Sequence, residues 1–518
     1  MTSSLTTRRT FLGASVGALA LAGLAACADP ATSPQPSGRI LPTDPLVAEY
    51  EKRRAASGTT VTHRLSAAPL ETSLQGRGLT TWGYNDGLNG PLLRAQIGDL
   101  LKVSVANDLP EDTSVHWHGL ALRNDADGVQ GVTQDPIAAG GRYTYGFRLS
   151  HPGTYWYHSH FDTQRERALY GALIVEDPNE PLSYDQEWVV ILDDWLDGIT
   201  GTPQDVVEEL SAGMDMSGDM EGMAGMDHGS MSQDSSSGMP MKHMLMGAES
   251  DYLGGDAGDV KIPVHLFNSR PPSDPDTFSS TPGNRIRLRL INAAGDTAYR
   301  VGIPGQELTI THTDGFPVQP RQADAVVLGM GERLDVLITL GDQAVPVLAL
   351  PEGKTGHAYG IITAGPKTTL SGRLPQTLGG TVLDGSRLKA HESVLLPPKD
   401  PTRTHEVRLT GSMMEYDWGI NGRRFDPANP FEGAFELRLD ERVRVTMTND
   451  TDMWHPMHLH GHTFQLADHG ARKDTVIIKP RQTIIFDFEA DNPGQWLTHC
   501  HNAYHAEAGM MGVFSYIH

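Results

Sequence analysis

Apolar and polar residues alternate along Leu100-Leu101-Lys102-Val103-Ser104-Val105-Ala106-Asn107. The same two-residue period returns in Arg285-Ile286-Arg287-Leu288-Arg289-Leu290-Ile291-Asn292 and in Arg442-Val443-Arg444-Val445-Thr446-Met447-Thr448-Asn449. A period of two with β-branched residues predicts a half-buried strand. Three copies of one pattern predict three similar β-domains. The 518 residues are too many for one core, and 56 Gly with 34 Pro favour short strands and turns over helices. The expectation is an all-β chain of three Greek-key β-sandwich domains over 58–178, 184–366 and 380–518.

The repeat extends to chemistry in the first and last copies. Asn107 stands nine positions before His116-Trp117-His118-Gly119, and Asn449 nine before His458-Leu459-His460-Gly461. Pro152-Gly153 leads to His158-Ser159-His160 as Pro493-Gly494 leads to His499-Cys500-His501. The middle copy has Val301-Gly302-Ile303 at that place and reads as a spacer. A His-x-His pair on a strand presents both imidazoles on one face. One such pair is as readily structural as functional; four pairs in register are not. Imidazole suits copper, zinc, iron and nickel, so it does not by itself name the metal.

Cys500 narrows the choice. Its side chain points away from those of His499 and His501, while His505 and Met510 follow and His455 precedes His458 by three. Two histidines, a thiolate and a distant methionine make a blue-copper electron-transfer set. The His-Cys-His triplet then joins that site to a second one through a few backbone bonds.

With these four motifs the chain resembles the three-domain multicopper oxidases, the family of laccases, ferroxidases and bacterial cuprous oxidases, over roughly residues 58–518. The resemblance implies cupredoxin-like domains and four copper ions. It places type 1 copper on His455, Cys500 and His505 with Met510 axial, and type 2 copper on His116 and His458. The type 3 pair would fall to His118, His158, His160, His460, His499 and His501. The implied reaction takes single electrons from a reductant at type 1 copper and reduces O2 to water at the other three. Asp127 matches a carboxylate that family members hold beside the cluster, where it would donate protons or orient a ligand. A turn residue before Gly128 is the plainer reading. Several relatives carry a glutamate within or just after the last motif. Here Asn502, Ala503, Tyr504 and Ala506 fill those places and Glu507 comes one later. Trp117 is expected to pack beside the cluster.

Ten of the 19 methionines fall between Met214 and Met246: Met214, Met216, Met220, Met223, Met226, Met231, Met239, Met241, Met244 and Met246. His228 and His243 lie among them. Gly, Ser and Asp leave this insertion, about 213–246, no apolar period, so a core role is not expected. Thioether is a soft ligand that selects Cu(I). Similar segments occur in copper-resistance members of the family, so the reductant is expected to be Cu(I), with Fe(II) and phenols as rivals.

Thr7-Arg8-Arg9-Thr10-Phe11-Leu12 resembles a twin-arginine export signal, and the apolar run to Ala26 is short for a bilayer span of about 20 residues. Leu24-Ala25-Ala26-Cys27 resembles a lipobox, which would lipid-anchor the chain on the outer face of the bacterial cytoplasmic membrane, with residues 28–57 as tether. Ordinary cleavage nearby would instead release a soluble product. A formal charge of −23 argues against nucleic acid as partner. Two readings from other classes are a non-catalytic copper store, which leaves the eight paired histidines unused, and a blue-copper nitrite reductase, which has no need of His-Cys-His.

Overall fold

Each of the three alternating strands sits inside a sheet with the same neighbours. Leu100–Asn107 pairs parallel with Thr60–Leu74 and antiparallel with Arg142–Arg148. Arg285–Asn292 lies likewise between Gln186–Trp195 and Arg333–Thr339, and Arg442–Asn449 between Arg403–Thr410 and Thr483–Glu489. The structure is a computed structural model that describes residues 38–213, 242–365, 369–370 and 372–518. Arg8, Arg9, Cys27, His228 and the methionines from Met214 to Met241 lie outside the described residues.

A second sheet faces the first in each domain, and the strands carrying the motifs lie there. His116–His118 pairs antiparallel with Gly153–His158, setting His116 opposite His158. His455–Leu459 pairs antiparallel with Gln495–Cys500, setting His458 opposite His499 and Met457 opposite Cys500. The corresponding middle strand, Tyr299–Gly302, pairs with Val345–Pro351 and carries no histidine. Val382–Asp384 still belongs to the middle domain's sheet, parallel to Ala325–Leu328. The fold is thus all-β, built as cupredoxin-like sandwiches, with only short helices among the described residues.

The asparagine that ends each copy explains why the repeat keeps it. Asn107, Asn292 and Asn449 are fully buried. Each amide donates to carbonyls across the following loop: Glu111 and Ile137, Thr297 and Leu328, Met453 and Ile478. Each Oδ1 accepts a backbone N–H two residues on. The side chain thereby satisfies backbone groups that the ladder has released, which a buried loop requires.

The outer copies alternate in burial as expected, Leu101, Val103 and Val105 inward and Lys102 and Ser104 outward. The middle copy does not. Arg287 and Arg289 are buried, because the polar face of that strand packs between domains. Arg287 pairs with Asp335 and Glu180, and Arg289 with Glu187 and Asp335 while donating to Thr154 Oγ1 of the first domain. Burial of both charges is tolerated only because each is paired.

Candidate metal centres

The two His-x-His strands from the outer domains meet face to face and interdigitate. His116 stacks on His460 and His118 on His458, each with ring centroids 3.8 Å apart. Three triads of ligating atoms result, each with its atoms within 4.8 Å of one another: His118, His158, His501; His160, His460, His499; and His116, His118, His458. The glycine closing each motif is required by that approach. Gly119 has φ +86° and Gly461 φ +64°. A Cβ on Gly119 would overlap Arg333 and Asp474, and one on Gly461 would enter the Trp496 ring.

Most of the cluster's imidazoles are held neutral, as metal ligation requires. Burial and mutual repulsion hold His118, His158, His460, His499 and His501 well below the usual range, and His160 down to about 3. The outer nitrogens are engaged: His116 Nδ1 donates to Asp127 C=O, His158 Nδ1 to Ser159 C=O, His458 Nδ1 to Asp474 C=O and His499 Nδ1 to Cys500 C=O. Nε2 of His116, His158, His160 and His458, and Nδ1 of His118, are buried without a hydrogen-bond partner. An unsatisfied buried nitrogen costs about 1–3 kcal/mol, so five in one place fit a site made for cations. His460 Nε2 and His499 Nε2 face each other at 3.1 Å with their Nδ1 atoms both committed elsewhere, an opposition that a metal ion relieves.

Two carboxylates stand at matching places in this pseudo-symmetric arrangement. Asp127 Oδ2 accepts from His460 Nδ1 at 3.0 Å, and Oδ1 lies 3.3 Å from His116 Nδ1. Asp474 Oδ1 lies 3.2 Å from His118 Nε2 and 3.4 Å from His458 Nδ1. Their surroundings differ. Asp474 is gripped by Arg333 of the middle domain through two bonds of 2.7 and 2.6 Å. Burial would raise the Asp474 carboxyl, but Arg333 holds it well below the usual range. Asp127 Oδ1 has no hydrogen-bond partner. Asp474 and Arg333 were not read from the sequence; the only signal was Asp474 trailing the third motif as Asp127 trails the first.

The second centre gathers around Cys500. His455 Nδ1 and His505 Nδ1 are 3.0 Å apart, and Cys500 Sγ lies 3.7 and 3.6 Å from them. His455 Nε2 donates to Thr451 Oγ1 and His505 Nε2 to Asp259 Oδ2, both at 2.8 Å. These outward bonds turn both Nδ1 atoms toward the thiol. Burial opposes protonation of His505, yet the Asp259 carboxylate and Cys500 push it up to about 10. Met510 is fully buried, and backbone bonds to His505 and Cys500 hold it to the same loop. Trp418 covers His505, with ring centroids 4.6 Å apart.

Two further groups border the cluster. Arg165, on the turn Gln164–Arg167, donates to His501 C=O at 2.7 Å and lies 3.0 Å from His501 Nδ1. Beside it Glu166 is pushed up to about 8 by burial and by Asp194, against the pull of Arg165. Glu507, pushed up to about 7 by burial and Asp162, sits where the chain departs from the family's last motif. Trp117 packs in the first domain's core against Tyr145, Phe147 and Tyr157.

Of the methionine-rich segment's described end, His243 and Met244 are core residues, contrary to expectation. His243 lies 2.9 Å from Glu209 on the helix Pro203–Ser211, its other nitrogen 3.0 Å from Thr200 C=O. Met244 is fully buried and bridges to Val260, a pairing that the polar composition around it concealed. Met246 is exposed.

Sandwich domains meeting through paired His-x-His strands, two of which also carry His455 and Cys500 of a His2Cys site, define a copper oxidase. Multicopper oxidase family models match residues 69–180, 186–350 and 397–517. The chain belongs to the multicopper oxidases, oxidoreductases that use copper and take O2 as acceptor. Multicopper oxidase MmcO of Mycobacterium tuberculosis is 41% identical, the alignment covering 98% of this chain and 96% of that protein. Copper resistance protein A of Pseudomonas syringae pv. tomato is 28% identical, with 98% of each covered. In fold the chain is similar to Fet3p, a multicopper oxidase that functions in iron import, with a TM-score of 0.70 at 20% identity over 88% of this chain and 90% of that one. The laccase from Botrytis aclada gives 0.70 at 24% over 90% and 89%.

Proposed function

We propose that the protein is a cuprous oxidase of copper tolerance, coupling four one-electron oxidations to the reduction of O2 to water with four bound copper ions. In this reading His455, Cys500, His505 and Met510 hold type 1 copper, His116 and His458 type 2, and His118, His158, His160, His460, His499 and His501 the type 3 pair. Those ions supply the electron storage and O2 chemistry; the chain supplies geometry and protons. Cys500 lies between His499 and His501, so one strand links the two centres. Asp127 is the proton donor at the His116–His460 side, and Asp474 with Arg333 orients His118 and His458.

One observation carries the choice of Cu(I). The segment's end is hydrogen-bonded to the loop that borders the His2Cys site. Leu245 N–H donates to Asp259 C=O at 2.6 Å, and Asp259 Oδ2 accepts from His505. Thioethers of the segment would thus deliver a soft cation close to His505. The name of the copper-resistance relative agrees. Among the described residues no helix is long and apolar enough to cross a membrane. A twin-arginine signal with a lipid on Cys27 is the proposed route to the outer face of the cytoplasmic membrane.

The test is oxygen uptake with Cu(I), Fe(II) and a phenol, comparing the intact chain with a variant lacking 214–241, which spares the anchored His243 and Met244. Loss confined to Cu(I) is expected. Rates unchanged by the deletion with all three reductants would remove the segment from the substrate path and make a ferroxidase or phenol-oxidising laccase an equal contender.

A further inference from the structure

A cavity of about 520 Å3 lies where the first and last domains meet, and none of the histidines of the metal centres lines it. Three arginines line it; Arg53 pairs with Glu49, which leaves Arg54 and Arg472, from distant parts of the chain. Arg54, following the helix Pro45–Arg53, donates to Ala121 C=O at 2.6 Å, Ser150 Oγ at 2.7 Å and Asn492 Oδ1 at 2.9 Å. Its Nε lies 3.0 Å from Glu51. Arg472 donates to Val394 C=O at 3.2 Å and to Thr463 Oγ1, and lies over the Phe316 ring. Among the described residues no carboxylate oxygen comes within 4.0 Å of Arg472. Its Nε is buried without a hydrogen-bond partner.

A buried guanidinium without a counter-ion is costly and uncommon. Burial pulls Arg472 down to about 10; it lowers Arg54 as well, but Glu51 pairs with Arg54, so Arg472 is the guanidinium left without a carboxylate partner. Asp491 lines the same cavity without pairing to either arginine, and burial raises it. His151, pulled down to about 4 by burial and by both arginines, stays a neutral hydrogen-bonding group on the wall. The missing element is a ligand with negative charge and oxygens for the open guanidinium edge of Arg472, with Arg54 close enough to add its charge.

We propose that this cavity binds a small oxyanion, a carboxylate or phosphate, held by Arg54 and Arg472 across the seam between the first and last domains. Arg54 already ties Ala121 and Ser150 of the first domain to Asn492 of the last. Asn492 in turn donates to Leu122 and Gly461 carbonyls on the two sides of the seam. An anion joining Arg54 to Arg472 adds the strand Arg472–Lys473, whose next residue is Asp474. The ligand therefore stabilises the closure on which the interdigitated histidines depend.

The experiment titrates inorganic phosphate, and separately citrate, into the copper-loaded full chain at constant ionic strength, with heat of binding and thermal midpoint as readouts. At least one anion should bind saturably and raise the midpoint. Phosphate alone assigns the inorganic source, citrate alone the carboxylate source, and both assign the shared chemistry. Arg472→Gln should weaken binding about tenfold or more, and Arg472→Lys, which keeps charge but loses the fork, should weaken it less. Oxygen uptake without anion should match the parent chain in both. Ser150→Asp, which gives Arg54 a second carboxylate beside Glu51 and puts a negative charge at the cavity wall, should abolish binding and keeps the test open if Arg472→Gln does not fold. Absence of binding by either anion at about 10 mM, or unchanged binding in Arg472→Gln or Ser150→Asp, would overturn the proposal.

Discussion

Replacing Asp474 by asparagine should destabilise this protein far more than the same change at Asp127, although the two carboxylates occupy matching places. Asp474→Asn removes the only charge that grips Arg333 through two hydrogen bonds, inside a region with no solvent exposure for either partner. An uncompensated buried guanidinium costs about 3–5 kcal/mol. Asp314 softens that loss, because one of its oxygens lies 3.5 Å from Arg333, yet it is already committed to Lys473 at 3.0 Å. Asp127→Asn strands no lysine or arginine. Its amide oxygen can still accept from His460 Nδ1, so the cost is about 0.5–1.5 kcal/mol. A difference of roughly 3 kcal/mol follows. Chemical denaturation of the copper-free chains reads it directly, since lost metal cannot then contribute. Activity should invert the ranking: copper-loaded Asp127→Asn should lose about 10²–10⁴-fold in oxygen uptake. Equal destabilisation by the two changes would refute the asymmetry assigned to Arg333. Unchanged turnover of Asp127→Asn across pH would remove Asp127 from proton supply.

Cys500→Ser should abolish blue absorbance and oxidation of every reductant while the histidine cluster keeps its metal; any retained turnover refutes the route through Cys500. Met510→Leu should keep the blue colour and raise the reduction potential, with under about 1.5 kcal/mol of stability lost; an unchanged potential would show that Met510 is not axial. Glu166 sits near 8 when folded against 4.5 for a free side chain, so the unfolded chain releases its proton first as pH rises. Its contribution therefore declines by about 1.4 kcal/mol per pH unit across that window, and Glu166→Gln should flatten the fall in stability between pH 5 and 8. A variant with the parent's slope would show that Glu166 ionises normally.

Local sequence sufficed where the determinants were local. Two-residue periods marked the central strands, and duplicated spacing matched His116 with His458 and His158 with His499 across the outer copies before any contact was known. Residues that act across domain boundaries left no such trace. Arg287 and Arg289 read as the polar face of an ordinary strand and Arg333 gave no signal, and only the packing of one domain on another shows that their charges are buried and paired. Composition misled at Met244 for the converse reason. Its neighbours are polar, but a single backbone bridge to Val260 is enough to draw one side chain into the core.

The middle domain shows what was kept when one copy of a repeat carries no metal ligand. Its strand retains the buried asparagine, Asn292, that closes the loop in all three copies, so the scaffold did not relax. It also supplies Arg333 to Asp474, Glu332 and Asp314 to Lys473, and Asp259 to His505. Each contact reaches a residue that touches a metal-centre histidine, neighbours one that does, or is such a histidine itself. The outer domains alone could bring their histidines together, but neither carries a cation for Asp474 or an acceptor for His505 Nε2 among the described residues. Orientation of His505, and of Asp474 beside His118 and His458, is therefore set from outside the last domain. This is why a three-domain chain has a physical advantage over two copies that merely dock: the third copy fixes the geometry that the other two supply.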